Sequence, residues 1–437
     1  MTSAASPKPS SRSALFVLFS VVFINLVGFG LVVPLLPFYG QSLHAPAWQV
    51  SLMFSAYSLG QFFAEPFWGR LSDRIGRKPV LLMTVLANAA GYLMLAYAPT
   101  IWAAIAIRLF TGLGAGNIST VQGYVADVTP PEQRAGRMGL IGAAFGLGFI
   151  VGPGLGGLLT HKELGRLGYQ LPIFTAAGLC LLAALGVVFL LKESRAKADP
   201  AAKRPPFLGG VREAMANPVV SRVLLVTLIY MAGFSGMEST FGFWTEARYG
   251  WGAREVGFSF MAVGIVSTIC QGLIAGRLAR RFGEARVLAV GCLMFGTGLV
   301  GQIMIGRLLP ADAALVVPFL SRPIHGDLLV PVMMGFGAFG MAITMPNISA
   351  LISRSVDPDR QGAMLGLNMA SSSAARIFGP IVAGAIFSGV GHDWPFLIGA
   401  MLTVPAAVMA INAGRAFRRR QSGATAPGPL PIAASEG

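Results

Sequence analysis

Twelve stretches of this chain are each long enough to cross a bilayer and nearly free of charge, and this limits the fold more than any other feature. A spanning helix needs about 20 apolar residues at ~1.5 Å each to cover ~30 Å of hydrocarbon. In lipid the backbone must satisfy its own hydrogen bonds, so such stretches are helices. On that ruler they fall at about 14–38, 49–70, 79–98, 101–124, 137–160, 170–191, 221–244, 255–279, 285–306, 327–351, 361–388 and 394–414. With 54% apolar and 12% charged residues and a mean hydropathy of +0.67, the composition excludes a water-soluble fold. The expected fold class is an all-α polytopic membrane protein. The 56 glycines lie largely inside these runs, where small residues let helices approach closely.

A net charge of +15 suggests nucleic acid until the positions of the 33 Lys and Arg are considered. If the N-terminus is inside, 25 of them fall in inside segments and six in outside loops, with Arg108 and Arg376 within helices. The imbalance predicts that both ends are cytoplasmic and that the charge faces a membrane surface, with no nucleic-acid partner. Lys8 and Arg12 precede a first apolar run that is too long for a signal-peptide core, so this run is expected to remain as an anchor.

The chain also repeats itself. GRLSDRIGRKPVL (Gly69 to Leu81) and GRLARRFGEARVL (Gly276 to Leu288) are identical at seven of thirteen positions, 207 residues apart. Gly152-Pro153 in the fifth apolar run recurs as Gly379-Pro380 in the eleventh, now 227 residues on. The growth of 20 matches an insertion at Arg307 to Gly326, the longest outside loop. The expected organisation is a tail (1–13), a six-helix half (14–191), a basic linker (192–220), a second six-helix half (221–414) and a tail (415–437). Parallel halves around a central cavity suit a transporter, because rocking one against the other exposes one site to each side in turn.

Gly69-Arg70-Leu71-Ser72-Asp73-Arg74-Ile75-Gly76-Arg77-Lys78 resembles the signature loop of the major facilitator superfamily. Arg108 to Gly116 resembles the helix 4 motif of its proton-linked members, and Gly148 to Gly157 its helix 5 antiporter motif. Asn25 to Gly30, followed by Pro34 and Pro37, is similar to the start of drug and tetracycline efflux proteins. The resemblance implies a twelve-helix drug:proton antiporter. It also carries a departure: the tetracycline proteins have an aspartate in helix 1 where this chain has Asn25, and a second acid in helix 3 where it has Gly91. An amide carries no proton at physiological pH, so the proton carrier is sought elsewhere.

In the signature loop, Gly69 and Gly76 permit tight turns, Asp73 offers an acceptor to the N–H groups of a helix start, and Arg74 and Arg77 offer charges to acids of other helices, Asp127 being the natural partner of Arg77. This reads as a conformational latch; the plain alternative, a solvated basic loop, accounts for the cations but not for Asp73. Gly148, Gly152 and Gly156, spaced by four, give helix 5 a small-residue face that Pro153 interrupts. Gating and ordinary tight packing both fit that face. Four intramembrane charges, Glu65, Arg108, Glu238 and Arg376, are candidates for coupling. Glu238 and Arg376 lie at comparable depth and are expected to pair, with Arg108 facing Glu238 across the cavity as the alternative; a static ion pair is the structural reading. Glu65 ends a polar stripe with Tyr57 and Gln61, which with Asn25 are the candidate cavity residues.

Cys180, Cys270 and Cys292 lie in apolar runs, and His44, His161, His325 and His392 scatter over four loops, so no metal site is expected. No nucleophile–base pairing, P-loop or cofactor motif is present, and neither an enzyme nor an ATP-driven pump has support. The expected function is export of a drug-like or amphiphilic small molecule in exchange for protons, by a protein that is monomeric in the lipid bilayer of a plasma or bacterial inner membrane. An importer of a small metabolite and a non-transporting membrane sensor remain as alternatives.

Overall fold

The computed structural model describes residues 11–194, 207–309, 314–315, 324–357 and 360–424. The outer parts of both expected tails, the middle of the linker (195–206) and most of the 307–326 insertion lie outside the described residues. The first apolar run forms α1 (Ser11–Val32), a 3-10 turn (Val33–Leu35) and α2 (Leu36–Ser42). Pro34 and Pro37 each fall in the first turn of the piece that follows, where a missing N–H costs nothing, so the run bends without ending. Next come α3 (Ala47–Ile75), α4 (Arg77–Ala96), α5 (Ile101–Gly114), α6 (Ile118–Val128), α7 (Pro131–Leu159), α8 (Arg166–Leu190) and α9 (Phe207–Ala216). The remainder comprises α10 (Pro218–Tyr249), α11 (Ala253–Ile269), α12 (Ala275–Phe282), α13 (Glu284–Leu308), α14 (Gly326–Arg354), α15 (Gln361–Gly389) and α16 (Trp394–Ala424). A two-residue antiparallel pair, β1 (Ala314–Leu315) with β2 (Ile324–His325), sets Ala314 opposite His325.

Two further apolar runs expected as single helices are interrupted. The fourth breaks at Ala115–Asn117 between α5 and α6, and the eighth passes through a π-helical turn at Cys270–Ile274 between α11 and α12. The linker carries α9, and α16 continues past the expected end at 414 to Ala424. Local chemistry sets several termini. Thr100 Oγ1 accepts from the Ala103 N–H at 3.2 Å, starting α5. Asn217 Oδ1 accepts from Val219 and Val220 at 3.1 and 3.4 Å, with Pro218 in the first turn of α10.

Among the described residues eleven helical segments are long and apolar enough to cross a membrane. α3 is outside that set, although it has 29 residues. Its first five turns carry Gln49, Ser51, Ser55, Tyr57, Ser58 and Gln61, and most of these are buried against other helices.

α1 packs on α7 and α8, α4 on α5 and α8, and α3 on α5; among the later helices α10 packs on α15 and α16, and α13 on α14 and α16. Contacts between the earlier and later groups run through α7 with α11, α3 with α15, and α2 with α10. These contacts are concentrated at the end opposite the basic loops. There a Cβ on Gly242 would meet Pro37 Cγ at 2.8 Å, and one on Gly157 the Arg254 carbonyl at 2.8 Å. Ser51 and Ser239 hydroxyls meet at 3.5 Å, and Gln41 hydrogen-bonds Glu246. Toward the basic end a Cβ on Gly139 or Gly142 of α7, Gly272 of the π turn, or Gly362 or Gly366 of α15 would meet nothing within 4 Å. Among the described residues the named contacts between the earlier and later groups lie toward the far end.

Candidate functional site

α3 ends at Ile75 and α4 begins at Arg77, so the chain must turn on one residue. Gly76 does so with φ +107°, a conformation glycine favours. The Arg77 side chain is 7% exposed and fully engaged: Nη2 to Asp73 at 2.8 Å, Nε to Asp127 at 3.1 Å, and Nη1 to Ser72 Oγ at 2.6 Å. One guanidinium thereby ties the end of α3 to the end of α6. The backbone N–H groups that open α4 are received by a residue sequence reasoning missed: Glu193 accepts from Arg77 N at 2.8 Å and from Lys78 N at 3.1 Å, where a carboxylate complements the helix dipole. The capping role expected of Asp73 is thus filled by Glu193. A Cβ on Gly76 would meet that carboxylate at 2.5 Å, and this is a second reason for glycine. Arg74 is exposed, and Gly69 lies against Ser119.

The second copy has the same geometry with opposite charges. Gly283 turns with φ +85°, and Glu284 at the start of α13 pairs with Arg354 at the end of α14. Glu284 stands 207 residues after Arg77, and Arg354 stands 227 after Asp127. Both offsets are those of the two sequence repeats.

Gly148, Gly152 and Gly156 of α7 face α1. Added Cβ atoms would meet Leu26 Cβ at 2.6 Å, Gly30 Cα at 2.8 Å and the Leu31 carbonyl at 2.6 Å, respectively. The neighbouring face, with Gly146 and Gly157, lies on α11. Pro153 deprives the Phe149 carbonyl of its helical donor, and Gly264 of α11 comes so close to that oxygen that a Cβ there would meet it at 2.8 Å. α7 is therefore held on α1 by one glycine face and on α11 by another.

Where the two groups of helices meet, a narrow cavity is lined by Phe29, Tyr57, Arg108, Ser235, Glu238 and Arg376 among others. Arg108 is 1% exposed, and its Nε and Nη1 have no hydrogen-bond partner. Its guanidinium lies 4.3 Å from the Tyr57 ring centre, while that of Arg376 lies 5.7 Å from that of Phe29. Glu238 is 4% exposed, and its Oε1 has no partner. The expected Glu238–Arg376 ion pair is not formed. Each arginine instead lies over an aromatic face, an attraction that grows when water is excluded, and the carboxylate stands between them unpaired.

The other candidates divide. Tyr57 lines the cavity, whereas Gln61 donates to Glu65 at 3.1 Å on the same helix, and neither is part of the lining. Asn25 accepts from Asn88 at 3.1 Å and donates to Asn117 at 3.2 Å, in the break between α5 and α6. In place of an acid the first helix thus carries the centre of an amide network. At the far end Asp393 was not anticipated. It accepts from Trp244 Nε1 at 2.8 Å, Arg248 at 2.8 Å, and Arg307 at 2.9 and 3.0 Å, joining the ends of α10 and α13 to the α15–α16 turn. Burial pushes this carboxyl up, but the hydrogen bonds from Trp244 and Arg307 and the charge and hydrogen bond of Arg248 outweigh it, and it ionises below the ordinary aspartate value.

The sequence pattern of the Major Facilitator Superfamily matches residues 18–337 and 303–434. Tetracycline resistance protein, class C, of Escherichia coli is 31% identical over 404 residues, which span 90% of this chain and 95% of that protein. Multidrug resistance protein 2 of Bacillus subtilis (strain 168) is 26% identical over 399 residues, 90% of this chain and 93% of that protein. Among solved structures, the nucleoside transporter NupG shares the fold with a TM-score of 0.74 at 14% identity, over 92% of this chain and 99% of that one. The human organic anion transporter MFSD10 (TETRAN) shares it with a TM-score of 0.63 at 24% identity, over 92% of this chain and all of that one. A helical membrane protein with this loop, this glycine-lined fifth run and relatives matched over nearly their whole length belongs to the major facilitator superfamily, a family of transporters and not of enzymes.

Proposed function

We propose that the chain exports a drug-like or amphiphilic small molecule across a bacterial inner membrane, or other plasma membrane, in exchange for protons. It works as a monomer by alternating access between two six-helix halves, α1–α8 and α10–α16, with α3 as the twelfth spanning helix. On this reading the basic end and both termini are cytoplasmic, because 25 Lys and Arg gather there, and the conformation described is open to the cytoplasm.

The observation that carries the proposal is the unpaired set of charges in the cavity. Glu238 has Arg108 and Arg376 for neighbours and is bound to neither, so the balance between its charged and neutral forms depends on how far those arginines stand from it. Rocking the halves changes the distance to Arg108, which belongs to one half while Glu238 and Arg376 belong to the other. One proton is then taken up in one state and released in the next, while a substrate competes for the same cavity. Relatives named for tetracycline and multidrug resistance support an efflux direction.

The test is efflux of a panel of fluorescent dyes and antibiotics into inside-out vesicles with an imposed proton gradient. Glu238→Gln is expected to abolish gradient-driven transport while leaving substrate binding and counterflow exchange measurable. Gradient-driven transport at wild-type rates in that variant would assign the proton to another group.

A further inference from the structure

A groove with room for a guest opens on the outer face of the earlier helices, away from the charge-lined cavity. It has a volume of about 420 Å³, within the range of small-molecule sites, and runs between α1, with Phe16, Val21 and Ile24, and α8, with Leu182, Gly186 and Phe189. Along α1 the step from Phe16 to Ile24 covers ~12 Å, close to the ~15 Å that one leaflet contributes to the hydrocarbon. Its lips, Phe16 and Phe189, are 69% and 77% exposed. The one polar side chain in its wall is Ser20, whose hydroxyl donates to the Phe16 carbonyl at 2.9 Å, so the wall offers nothing to a polar guest.

Gly186 makes the room. Gly148, Gly152 and Gly156 of α7 are required by the helix against them, whereas a Cβ on Gly186 would meet nothing within 4 Å. Glycine weakens a helix interior, and here the space it leaves is the groove itself. In a bilayer such space is filled by hydrocarbon, because bare apolar walls forgo dispersion contacts and water is absent at that depth.

The two ends of the groove differ in charge. At the basic end of the molecule α8 stops at Leu190, and Lys192, exposed, follows two residues later. Lys78 Nζ stands 2.8 Å from the Val188 carbonyl in the last turn of α8, and Arg12 precedes Phe16 by four residues in the chain. The acids nearby are committed elsewhere: Glu193 accepts from the Arg77 and Lys78 backbone N–H groups, and Asp127 from the Arg77 guanidinium. The other end, at Ile24 and Leu182, is wholly apolar. A guest with a long apolar tail and an anionic head matches both ends.

We infer that the groove binds one phospholipid of the leaflet at the basic end, with an acyl chain laid over Gly186 and an anionic headgroup at Lys192. The site is distinct from the charge-lined cavity and does not depend on the transport reading.

Native mass spectrometry of the purified, delipidated full chain, titrated with dioleoyl phosphatidylglycerol or dioleoyl phosphatidylcholine, tests it; the acyl chains are the same and the head charge differs. The wild type is expected to hold one phosphatidylglycerol at least about fivefold more tightly than phosphatidylcholine, the effect of about one lysine beside an anionic headgroup. Lys192→Gln is expected to bring the two lipids within about twofold. Gly186→Phe, which fills the groove, is expected to weaken phosphatidylglycerol at least about tenfold. Gly178→Phe is the control: it lies on the same helix outside the groove, a Cβ there also meets nothing within 4 Å, and binding is expected to stay within about twofold of the wild type. Equal wild-type affinities for the two lipids, equal losses in both phenylalanine variants, or no loss in Gly186→Phe would mean an unselective lipid annulus and overturn the inference. So would a wild type that retains neither lipid because detergent or another part of the chain fills the groove. The wild-type comparison of the two lipids needs no variant to fold.

Discussion

Arg77 and Asp393 hold mirror-image arrangements at opposite ends of the molecule: a cation shared by two carboxylates at one end, a carboxylate shared by two cations at the other. The first was legible in the sequence, because a lone acid inside a basic loop calls for a reason and Asp127 was within reach. The second was not, since Asp393, Arg248 and Arg307 lie in three separate segments that only the fold brings together, and Glu193 escaped notice for the same cause. The Glu238–Arg376 pairing misled because helical depth gives the height of a side chain but not the aromatic ring that competes for it. Asp393 also carries a pH dependence. Its folded carboxyl ionises below the ordinary aspartate value, so its stabilisation is fully present above the unfolded value near ~4 and is lost as pH falls through the folded value. Asp393→Asn is expected to lower stability at neutral pH by about 2 kcal/mol, a hydrogen-bonded charge with partly exposed partners. Thermal unfolding in detergent between about pH 6 and pH 3 should show the variant's deficit shrinking as the wild type loses this contribution; a deficit unchanged across that range would mean that the carboxylate's charge is not what stabilises the turn.

Single elements show how far periodicity reaches. Apolar length gave the helices and glycine spacing gave a close-packed face on α7, but spacing cannot name the helix on the other side. The face expected to gate meets α1, its neighbour in the earlier group, and α11 is met by the adjacent glycines. Nor do apolar counts reveal the break at Ala115–Asn117 or the π turn at Cys270–Ile274, because both leave the run continuous in composition. Two glycine substitutions therefore have different expected effects. Gly152→Leu would drive a side chain into Gly30 Cα and the Val27 carbonyl, both within 2.8 Å of its Cβ and both backbone; the α1–α7 contact cannot yield by a rotamer change, and the loss is expected in stability, about 1–3 kcal/mol. Gly264→Ala would meet the Phe149 carbonyl at 2.8 Å across the contact between the two groups, and the loss is expected in transport rate, severalfold, with a melting temperature near that of the wild type. Melting curves and vesicle efflux on both variants decide it, and a Gly264→Ala protein that melts early but transports normally when folded would make α7–α11 a fixed joint.

At the scale of the whole molecule the two repeats were visible as offsets of 207 and 227 residues, and the same offsets recover the Glu284–Arg354 contact as the charge-inverted counterpart of Arg77–Asp127. What no offset reveals is which end is closed, because a repeat is equally consistent with every position of a rocking motion. The far-end contacts, with Gln41 on Glu246, Ser51 near Ser239 and Gly242 against Pro37, are those that an alternating cycle has to break. Gln41 and Glu246 are partly buried, and each lies at the last turn of its helix, so cysteines at both positions, bridged by a short cleavable thiol cross-linker, should fix the far end shut. The native cysteines Cys180, Cys270 and Cys292 are buried and provide the unreacted background. Cross-linking is expected to stop vesicle transport almost completely, to leave dye binding from the basic side within about twofold of the uncross-linked protein, and to be reversed on cleavage, because a population confined to one conformation binds but cannot turn over. Transport that continues at an undiminished rate with the far end covalently closed would show that substrate does not leave between α2 and α10, and that the contacts there are permanent structure.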